Sequence, residues 1–193
     1  MIVSVTLTAC SCSGSVAATH VGSSAGEAPV SNAQPATHTA ADDAFVSAVT
    51  AQHRQGMKLS SLVPQRSTSP AITSFAGNSA AAMQSELTVA QALLVQWTQN
   101  TDSSTAGSVD RPEAQGVADA ATMDRLAGSR GSAFDQLWLD IALALHAGAL
   151  DTAVRETAAG QNADAITLAR QLVPAEKTAI AQLNQIRDAA SDG

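Results

Sequence analysis

The residues best suited to chemistry in this chain are two histidines, His53 and His146, each inside an apolar helical pattern. Imidazole nitrogen binds copper and zinc, and thioether sulfur binds Cu(I). Met57 lies four residues after His53 and therefore on the same helical face. Met83 and Glu86 fall in the next predicted helix. Together these five side chains form a candidate metal site with imidazole, thioether and carboxylate ligands.

The same five side chains also fit an ordinary hydrophobic core. A buried histidine is usually satisfied by a neighbouring polar group, and methionine is flexible enough to fill irregular gaps between helices. In that case His53 and His146 would stabilise helix packing and hold no metal. The sequence leaves both interpretations open, because it does not show whether the side chains converge.

The chain lacks the motifs of the common catalytic sites. A ferritin-type di-iron centre needs Glu-x-x-His on two helices and two further glutamates, and no Glu-x-x-His occurs in the sequence. The two cysteines, Cys10 and Cys12, both precede the predicted folded domain. No serine, histidine and acid stand out as a catalytic triad. We therefore predict that the protein is not an enzyme.

Composition and charge narrow the fold class and the partners. The chain has 193 residues, no tyrosine and 3% aromatic residues, which favours closely packed helices over a β-sandwich. Its formal net charge of −7 argues against nucleic acid as a partner, because phosphate binding requires clustered Lys and Arg. Protein partners and the oligomeric state do not follow from the sequence.

A pattern that occurs twice predicts the architecture. An Asp-x-x-aromatic motif, followed by a histidine eight residues after the aromatic side chain, ends once at His53 and once at His146 (146 − 53 = 93). The same offset relates Leu87 to Ile180 further along the chain. Two halves of equal length predict a duplicated helical unit with pseudo-twofold symmetry.

Helical periodicity predicts two long helices in each half. We expect the first helix to end at Pro64 and the second to begin after Ser69, its N-cap. We expect Gly160 to end the third helix, Asn162 to cap the fourth, and Pro174 to kink or split that fourth helix. Four amphipathic helices in two hairpins predict an all-α four-helix bundle.

The predicted bundle spans residues 41–190. Its first repeat covers 41–99 and its second covers 132–190. The connection, 100–131, is polar at first and then carries a short predicted helix from Ala118 to Leu126. Residues 11–40 are rich in Ser, Ala, Thr and Gly and predict a flexible, disordered tether.

Residues 1–10 resemble the bacterial lipoprotein signal, in which an apolar run ends in Leu, two small residues and Cys. Here Leu7 and two small residues lead into Cys10, although no Lys or Arg precedes the apolar run. The resemblance implies that Cys10 is lipidated. It also implies an extracytoplasmic protein that a lipid anchor holds on the cell membrane, in the periplasm or at the cell surface.

The folded part resembles the bacterial DUF305 family over about Ala41 to Ala189. The resemblance lies in the repeated Asp-x-x-aromatic motif with its histidine, and in the segment from Met123 to Gly128 that precedes Phe134-Asp135. The family's domain is a ferritin-like helical bundle. Some members are associated with copper or other metals through histidine and methionine side chains.

The chain departs from the family pattern around both histidines. A His-His pair of the family is Gln52-His53 in the first repeat and Leu145-His146 in the second, and most of the neighbouring methionines are absent. Two functions therefore stay open. One is a lipid-anchored protein that binds copper or another transition metal through His53 and His146. The other is a degenerate structural or protein-interaction module of the cell envelope without metal.

Overall fold

Helices make up nearly all of the described chain. The computed structural model of the protein describes residues 37–100 and 114–191. Within these ranges it has no strand and five α-helices: α1 (Ala40–Arg66), α2 (Pro70–Asn100), α3 (Ala120–Gly128), α4 (Gly131–Ala159) and α5 (Ala163–Ser191). This confirms the predicted all-α bundle. The predicted signal segment and residues 11–36 of the predicted tether lie outside the described residues.

The four long helices form two hairpins, α1 with α2 and α4 with α5, which meet mainly where α1 packs against α4. Three residues connect the helices within each hairpin (67–69 and 160–162), and such short connections make neighbouring helices antiparallel. The short helix α3 precedes α4 and contacts it. Its observed start at Ala120 is two residues later than predicted.

Side-chain caps fix the starts of three of the four long helices, α1, α2 and α5. Thr39 caps α1: its hydroxyl oxygen accepts the backbone N–H of Asp42 at 3.5 Å, and the Asp42 carboxylate accepts the backbone N–H of Thr39 at 2.7 Å. As predicted, Ser69 precedes α2 and accepts the N–H of Ile72 at 3.3 Å. The side chain of Asn162 accepts the N–H of Ala165 at 3.0 Å at the start of α5. These caps satisfy backbone donors that have no partner within the helix.

The predicted end of the first helix at Pro64 was wrong, and Pro174 does not split the helix that contains it. Helix α1 continues past Pro64 to Arg66, and α5 runs through Pro174 without a break. Both prolines are exposed, so water can satisfy the carbonyl oxygen that loses its helical donor. Around Pro174, the buried residues Leu172 and Glu176 hold α5 against the bundle. Packing of one helical face therefore outweighs the cost of proline on the other.

The core consists of two apolar clusters. The first, here the α3 cluster, contains buried side chains from the end of α1, the start of α2, α3, the start of α4 and the end of α5, including Val63, Ile72, Leu126, Trp138 and Leu183. The second, here the Trp97 cluster, contains buried side chains from the opposite ends of the four long helices, including Phe45, Val49, Leu93, Trp97 and Leu168. The middle of the bundle therefore lies between two apolar regions.

Helix α4 is the most apolar of the long helices. Among the described helices, it alone has the length and composition to cross a membrane, but 56% of the relevant window is buried inside the bundle. It contacts α1, α3 and α5. Its apolar character therefore follows from its central place in the packing.

Candidate metal centre

Two histidines and two glutamates occupy the middle of the bundle, between the α3 cluster and the Trp97 cluster. His53 lies on α1 and Glu86 on α2, whereas His146 lies on α4 and Glu176 on α5. We call these four residues the middle layer. Both histidines and Glu176 are buried. Since an unpaired buried charge is costly, the contacts within this layer determine what it can do.

In the second hairpin, Nδ1 of His146 lies 2.5 Å from a carboxylate oxygen of Glu176. Both side chains are less than one-tenth exposed, so water weakens this contact little. In the tautomer with a proton on Nδ1, the ring donates this hydrogen bond to the carboxylate. The ring also meets Phe75 of α2 edge to face, with centroids 5.7 Å apart. The imidazole is therefore held on two sides and leaves Nε2 as its remaining nitrogen.

In the first hairpin, Nε2 of His53 lies 2.8 Å from a carboxylate oxygen of Glu86. The distance suits a hydrogen bond, but the two groups are not aligned for one, and both ring nitrogens stay without a hydrogen-bond partner. His53 is fully buried, whereas the side chain of Glu86 is 24% exposed. This pair is therefore a close electrostatic contact that reaches the bundle surface.

The two glutamates do not occupy equivalent positions under the 93-residue offset. Glu176 corresponds to Met83 (176 − 83 = 93), and Glu86 stands one helical turn after Met83. In each hairpin, one glutamate on the second helix contacts the histidine on the first helix. Under the 93-residue offset, the two glutamates lie on neighbouring turns of these second helices. The first hairpin keeps a thioether at the position where the second has a carboxylate.

A small cavity lies beside the middle layer, on the side of the α3 cluster. Its volume is about 10 Å³, and it is lined by Gly56, Leu59, Ser60, Phe75, Ser79, Met83, Trp138, Ala142, Leu145 and His146. Met83 and His146 are thus brought to the same space from different hairpins. A cavity of this size holds about one water molecule.

Gly56 makes the position of Met83 possible. A Cβ atom added at Gly56 would lie 2.3 Å from Sδ of Met83 and 3.2 Å from a methyl carbon of Leu145. The first distance is far below van der Waals contact. The absence of a side chain on this turn of α1 therefore gives the thioether its room in the core.

The other predicted ligands lie elsewhere. His53 and Glu86 contact each other and do not line the cavity. Met57 is partly buried against the α3 cluster and is not a lining residue either. Within the described ranges, no group of three or more His, Cys, Asp or Glu side chains has a spacing suited to a metal ion. Cys10 lies outside the described residues.

The sequence did not indicate the role of Gln52, which replaces the first histidine of the family's pair. Its side-chain amide donates to the carbonyl oxygen of Gln115 at 2.8 Å, and the hydroxyl of Thr152 lies 3.4 Å away. Gln55, one turn on, exchanges two hydrogen bonds of 2.8 Å with the backbone of Ala118. The two glutamines therefore attach residues 115–118 to α1.

A second acidic pair lies at the Trp97 end of the bundle. The carboxylate of Asp42 accepts the backbone N–H groups of Gln161 and Asn162 at 3.0 and 2.9 Å, which ties α1 to the turn between α4 and α5. Burial alone would raise the pKa of Asp42. Hydrogen bonds from Thr39, the backbone of Asn162 and Glu156 outweigh burial and hold this pKa well below its usual range.

Glu156 is the partner of Asp42 in this pair. Burial, the hydrogen bond to Asp42 and the negative charge of Asp42 together raise the pKa of Glu156 from 4.5 to about 7. Two carboxyl groups in contact cannot both ionise cheaply, so Glu156 keeps its proton and donates it to Asp42. One oxygen of Glu156, Oε1, has no hydrogen-bond partner in the described structure.

Comparison with known proteins gives one family and one fold. The family model of DUF305, a domain of unknown function, matches residues 42–187. No curated protein matches the chain in sequence.

Three solved structures have a similar fold. A DUF305 protein from Streptomyces coelicolor, described as secreted, is 19% identical with a TM-score of 0.64, covering 76% of this chain and 89% of its own. A DUF305 fragment from Deinococcus radiodurans is 20% identical with a TM-score of 0.66, and the match covers 79% of this chain and 97% of the fragment. CopM in a Cu(I)-bound form is 16% identical with a TM-score of 0.61, and the match covers 77% of this chain and 96% of CopM.

Proposed function

The chain belongs to the DUF305 family, and from this premise we propose that it is an extracytoplasmic protein that binds a copper ion between His146 and Met83. The observation that carries the proposal is the cavity at the middle of the bundle, which both side chains line. A space for about one water molecule suits a single ion and excludes an organic ligand.

The two donors fit copper in its reduced state. Thioether sulfur and imidazole nitrogen are both ligands of Cu(I). Histidines that bind metals usually donate their other ring N–H to a carboxylate or carbonyl, which fixes the ring. Glu176 stands in that relation to Nδ1 of His146. His146 would therefore bind through Nε2 and Met83 through Sδ.

A protein with the same fold supports this proposal. CopM has been solved with Cu(I), with Ag and with Cu(II) bound. At 16–17% identity the likeness shows the fold alone, so the assignment of ligands rests on the residues of this chain. We propose a binding role without enzymatic activity, because the imidazole and the thioether that line the cavity are ligands for an ion.

We place the protein outside the cytoplasm, anchored to the membrane by a lipid on Cys10. The fold shared with a protein described as secreted supports the location. The lipid anchor rests on the resemblance of residues 7–10 to a lipoprotein signal. In this arrangement the bundle would meet copper at the outer face of the membrane.

A second candidate function is a metal-free module of the cell envelope. The observation in its favour is that each histidine of the middle layer already contacts a glutamate. The contact with Glu176 satisfies Nδ1 of His146 without an ion. In that case Met83 would only fill the core.

Measuring the affinity for Cu(I) by competition with a chelator separates the two functions. Met83→Leu keeps the volume of the side chain and removes its sulfur, so we expect Cu(I) binding to weaken about tenfold or more. Met123→Leu is the matched control, since Met123 is buried in the α3 cluster but does not line the cavity. It should leave the affinity unchanged.

Three results would contradict the assignment. Absence of Cu(I) binding by the unaltered protein supports the metal-free module. Equal affinities of Met83→Leu and Met123→Leu exclude Met83 as a ligand. Loss of binding in His53→Gln, with Met83→Leu unaffected, moves the ion to the pair of His53 and Glu86, which are two of the five residues of the predicted site.

A further inference from the structure

The chain enters the bundle through residues 37–39, here the entry segment, which lies against two other parts of the molecule. The ring of His38 stacks on Trp97 near the end of α2, with centroids 4.4 Å apart and planes 5° from parallel. The side-chain amide of Asn162 donates to the carbonyl oxygen of Thr37 at 3.4 Å. The entry segment therefore contacts both the end of α2 and the turn between α4 and α5.

Asp42 joins the entry segment to that turn. One of its carboxylate oxygens accepts the backbone N–H and the hydroxyl of Thr39, at 2.7 and 2.6 Å. The other oxygen accepts the backbone N–H groups of Gln161 and Asn162, at 3.0 and 2.9 Å. The capping box makes the entry segment and the first turn of α1 one unit. The bonds from residues 161 and 162 attach this unit to the second hairpin.

Glu156, near the end of α4, makes this attachment depend on a proton. Its side chain is buried, and Oε1 has no hydrogen-bond partner in the described structure. The protonated carboxyl donates to Asp42. An ionised carboxyl would instead place a second buried negative charge beside Asp42, which is costly without a donor or a cation. Separating the two carboxylates relieves that cost and parts the first turn of α1 from the turn between α4 and α5.

No basic side chain of the described residues offsets the charge of this acidic pair. The described ion pairs include none to Asp42 or Glu156. The last 14 residues of α2, from Leu87 onward, contain no ionisable group. The other ionisable groups on the elements that meet here lie at or near the surface, namely His38, Asp43, Asp151, Arg155 and Asp164. The proton on Glu156 is therefore what allows the two carboxyl groups to stay in contact.

We infer that the proton on Glu156 is a latch: while it is bound, the entry segment and the first turn of α1 stay docked against the α4–α5 turn and Trp97, and its loss releases them. The opening stops after the first turn, because Phe45 and Val49 hold the following turns of α1 in the Trp97 cluster. The latch determines whether the bundle is fixed at the point where the chain enters it. It is independent of copper binding, which we place at the middle of the bundle.

The pH range of the latch follows from the buried carboxyl. The docked state raises the pKa of Glu156 from 4.5 to about 7, so docking is strongest in acid. Between these values the equilibrium shifts towards the released state by about tenfold per pH unit. Asp42 stays ionised throughout this range, because its hydrogen bonds hold its pKa well below the usual value.

Hydrogen exchange of the full-length protein, followed by NMR at pH about 5 and about 7.5, tests the latch. Each rate is divided by that of an unstructured peptide at the same pH, which gives a protection factor. We expect the amides of Gln161 and Asn162 to lose protection at least about tenfold at the higher pH. There they should also be at least about tenfold less protected than the amide of Leu168, which is buried in the Trp97 cluster. The indole N–H signal of Trp97 should shift over the same range.

Two variants identify the titrating group. Glu156→Gln keeps a donor to Asp42 and cannot ionise, so we expect equal protection of residues 161 and 162 at both pH values. His38→Phe keeps an aromatic ring to stack on Trp97 and removes the only ionisable side chain of the entry segment. It should retain the loss of protection that the unaltered protein shows.

Four results would overturn the inference. The first is protection of residues 161 and 162 that does not change with pH in the unaltered protein. The second is the same loss in Glu156→Gln, which would assign the titration to another group. The third is absence of the loss in His38→Phe, which would make the histidine the switch. The fourth is equal protection of these amides and Leu168, which would mean that the junction opens only when the whole fold does.

Discussion

Replacing Glu156 by glutamine should abolish most of the dependence of the protein's stability on pH between 4.5 and 7. The folded state raises the pKa of Glu156 from 4.5 to about 7, so the folded protein retains a proton that the unfolded chain releases in this interval. Stability falls with rising pH wherever the folded state binds more protons than the unfolded state. The stabilising contribution of the protonated carboxyl is therefore fully present below pH 4.5 and lost by about pH 7.

The size of the effect follows from the shift. One unit of pKa corresponds to about 1.4 kcal/mol, so the shift from 4.5 to about 7 corresponds to roughly 3.5 kcal/mol at most. Relaxation of the turn between α4 and α5 would reduce this value. We expect Glu156→Gln to be about 1–3 kcal/mol more stable than the unaltered protein at pH about 8, since an amide can donate to Asp42 without becoming charged.

Urea unfolding followed by circular dichroism at a series of pH values measures the free energy of unfolding of both proteins. Asp140→Asn provides the control: it also converts a carboxylate on α4 to an amide, but Asp140 is exposed. The lowered pKa of Asp42 stabilises the fold above that residue's ordinary value of 3.8, so its contribution is lost only in more acidic solution. The reasoning would be refuted if the free energy of unfolding changed with pH in the same way for Glu156→Gln and for the unaltered protein.

Two further predictions concern the packing and the anchor. Gly77→Ala, whose Cβ meets no atom within 4 Å, should raise the free energy of unfolding by about 0.5–1 kcal/mol. Gly56→Ala gains the same helix propensity, but its Cβ would collide with Met83, so its free energy of unfolding should be about 1–3 kcal/mol below that of Gly77→Ala; equal effects in urea unfolding would contradict this account. Cys10→Ala should lower the mass by a lipid group and release the protein from membranes; unchanged mass and membrane partition would show that Cys10 is not lipidated.

Periodic apolar residues and helix caps were sufficient to predict the bundle. Ser69 and Asn162 stand where the predicted helices begin, and both cap them in the structure. The end of α1 at Pro64 and a split of α5 at Pro174 were predicted wrongly, because a local rule was applied without knowledge of the exposed face on which each proline lies. Tertiary packing decides which face of a helix is exposed, and the presence of a proline in the sequence does not indicate that face.

The candidate site was predicted less completely than the fold. The predicted site included His53, His146 and Met83, but the sequence gave no reason to separate His53 from the cavity that the other two line. Glu176 was not among the predicted site residues. A signal for it exists: a glutamate one turn after Leu172 interrupts the apolar face of α5. The pairing of each histidine with a single acid depends on which turns face each other, and only the assembled bundle shows that.

The middle layer is difficult to explain by stability alone. Burying a paired acid and base often stabilises a protein no more than well-packed apolar residues of similar volume. Leu145, directly before His146, is buried in the same region as an apolar side chain, so this part of the bundle accepts such residues. An imidazole fixed by Glu176 beside the thioether of Met83 therefore adds little that folding requires. It does supply what a soft monovalent ion requires, which is why we favour the metal-binding function over the metal-free module.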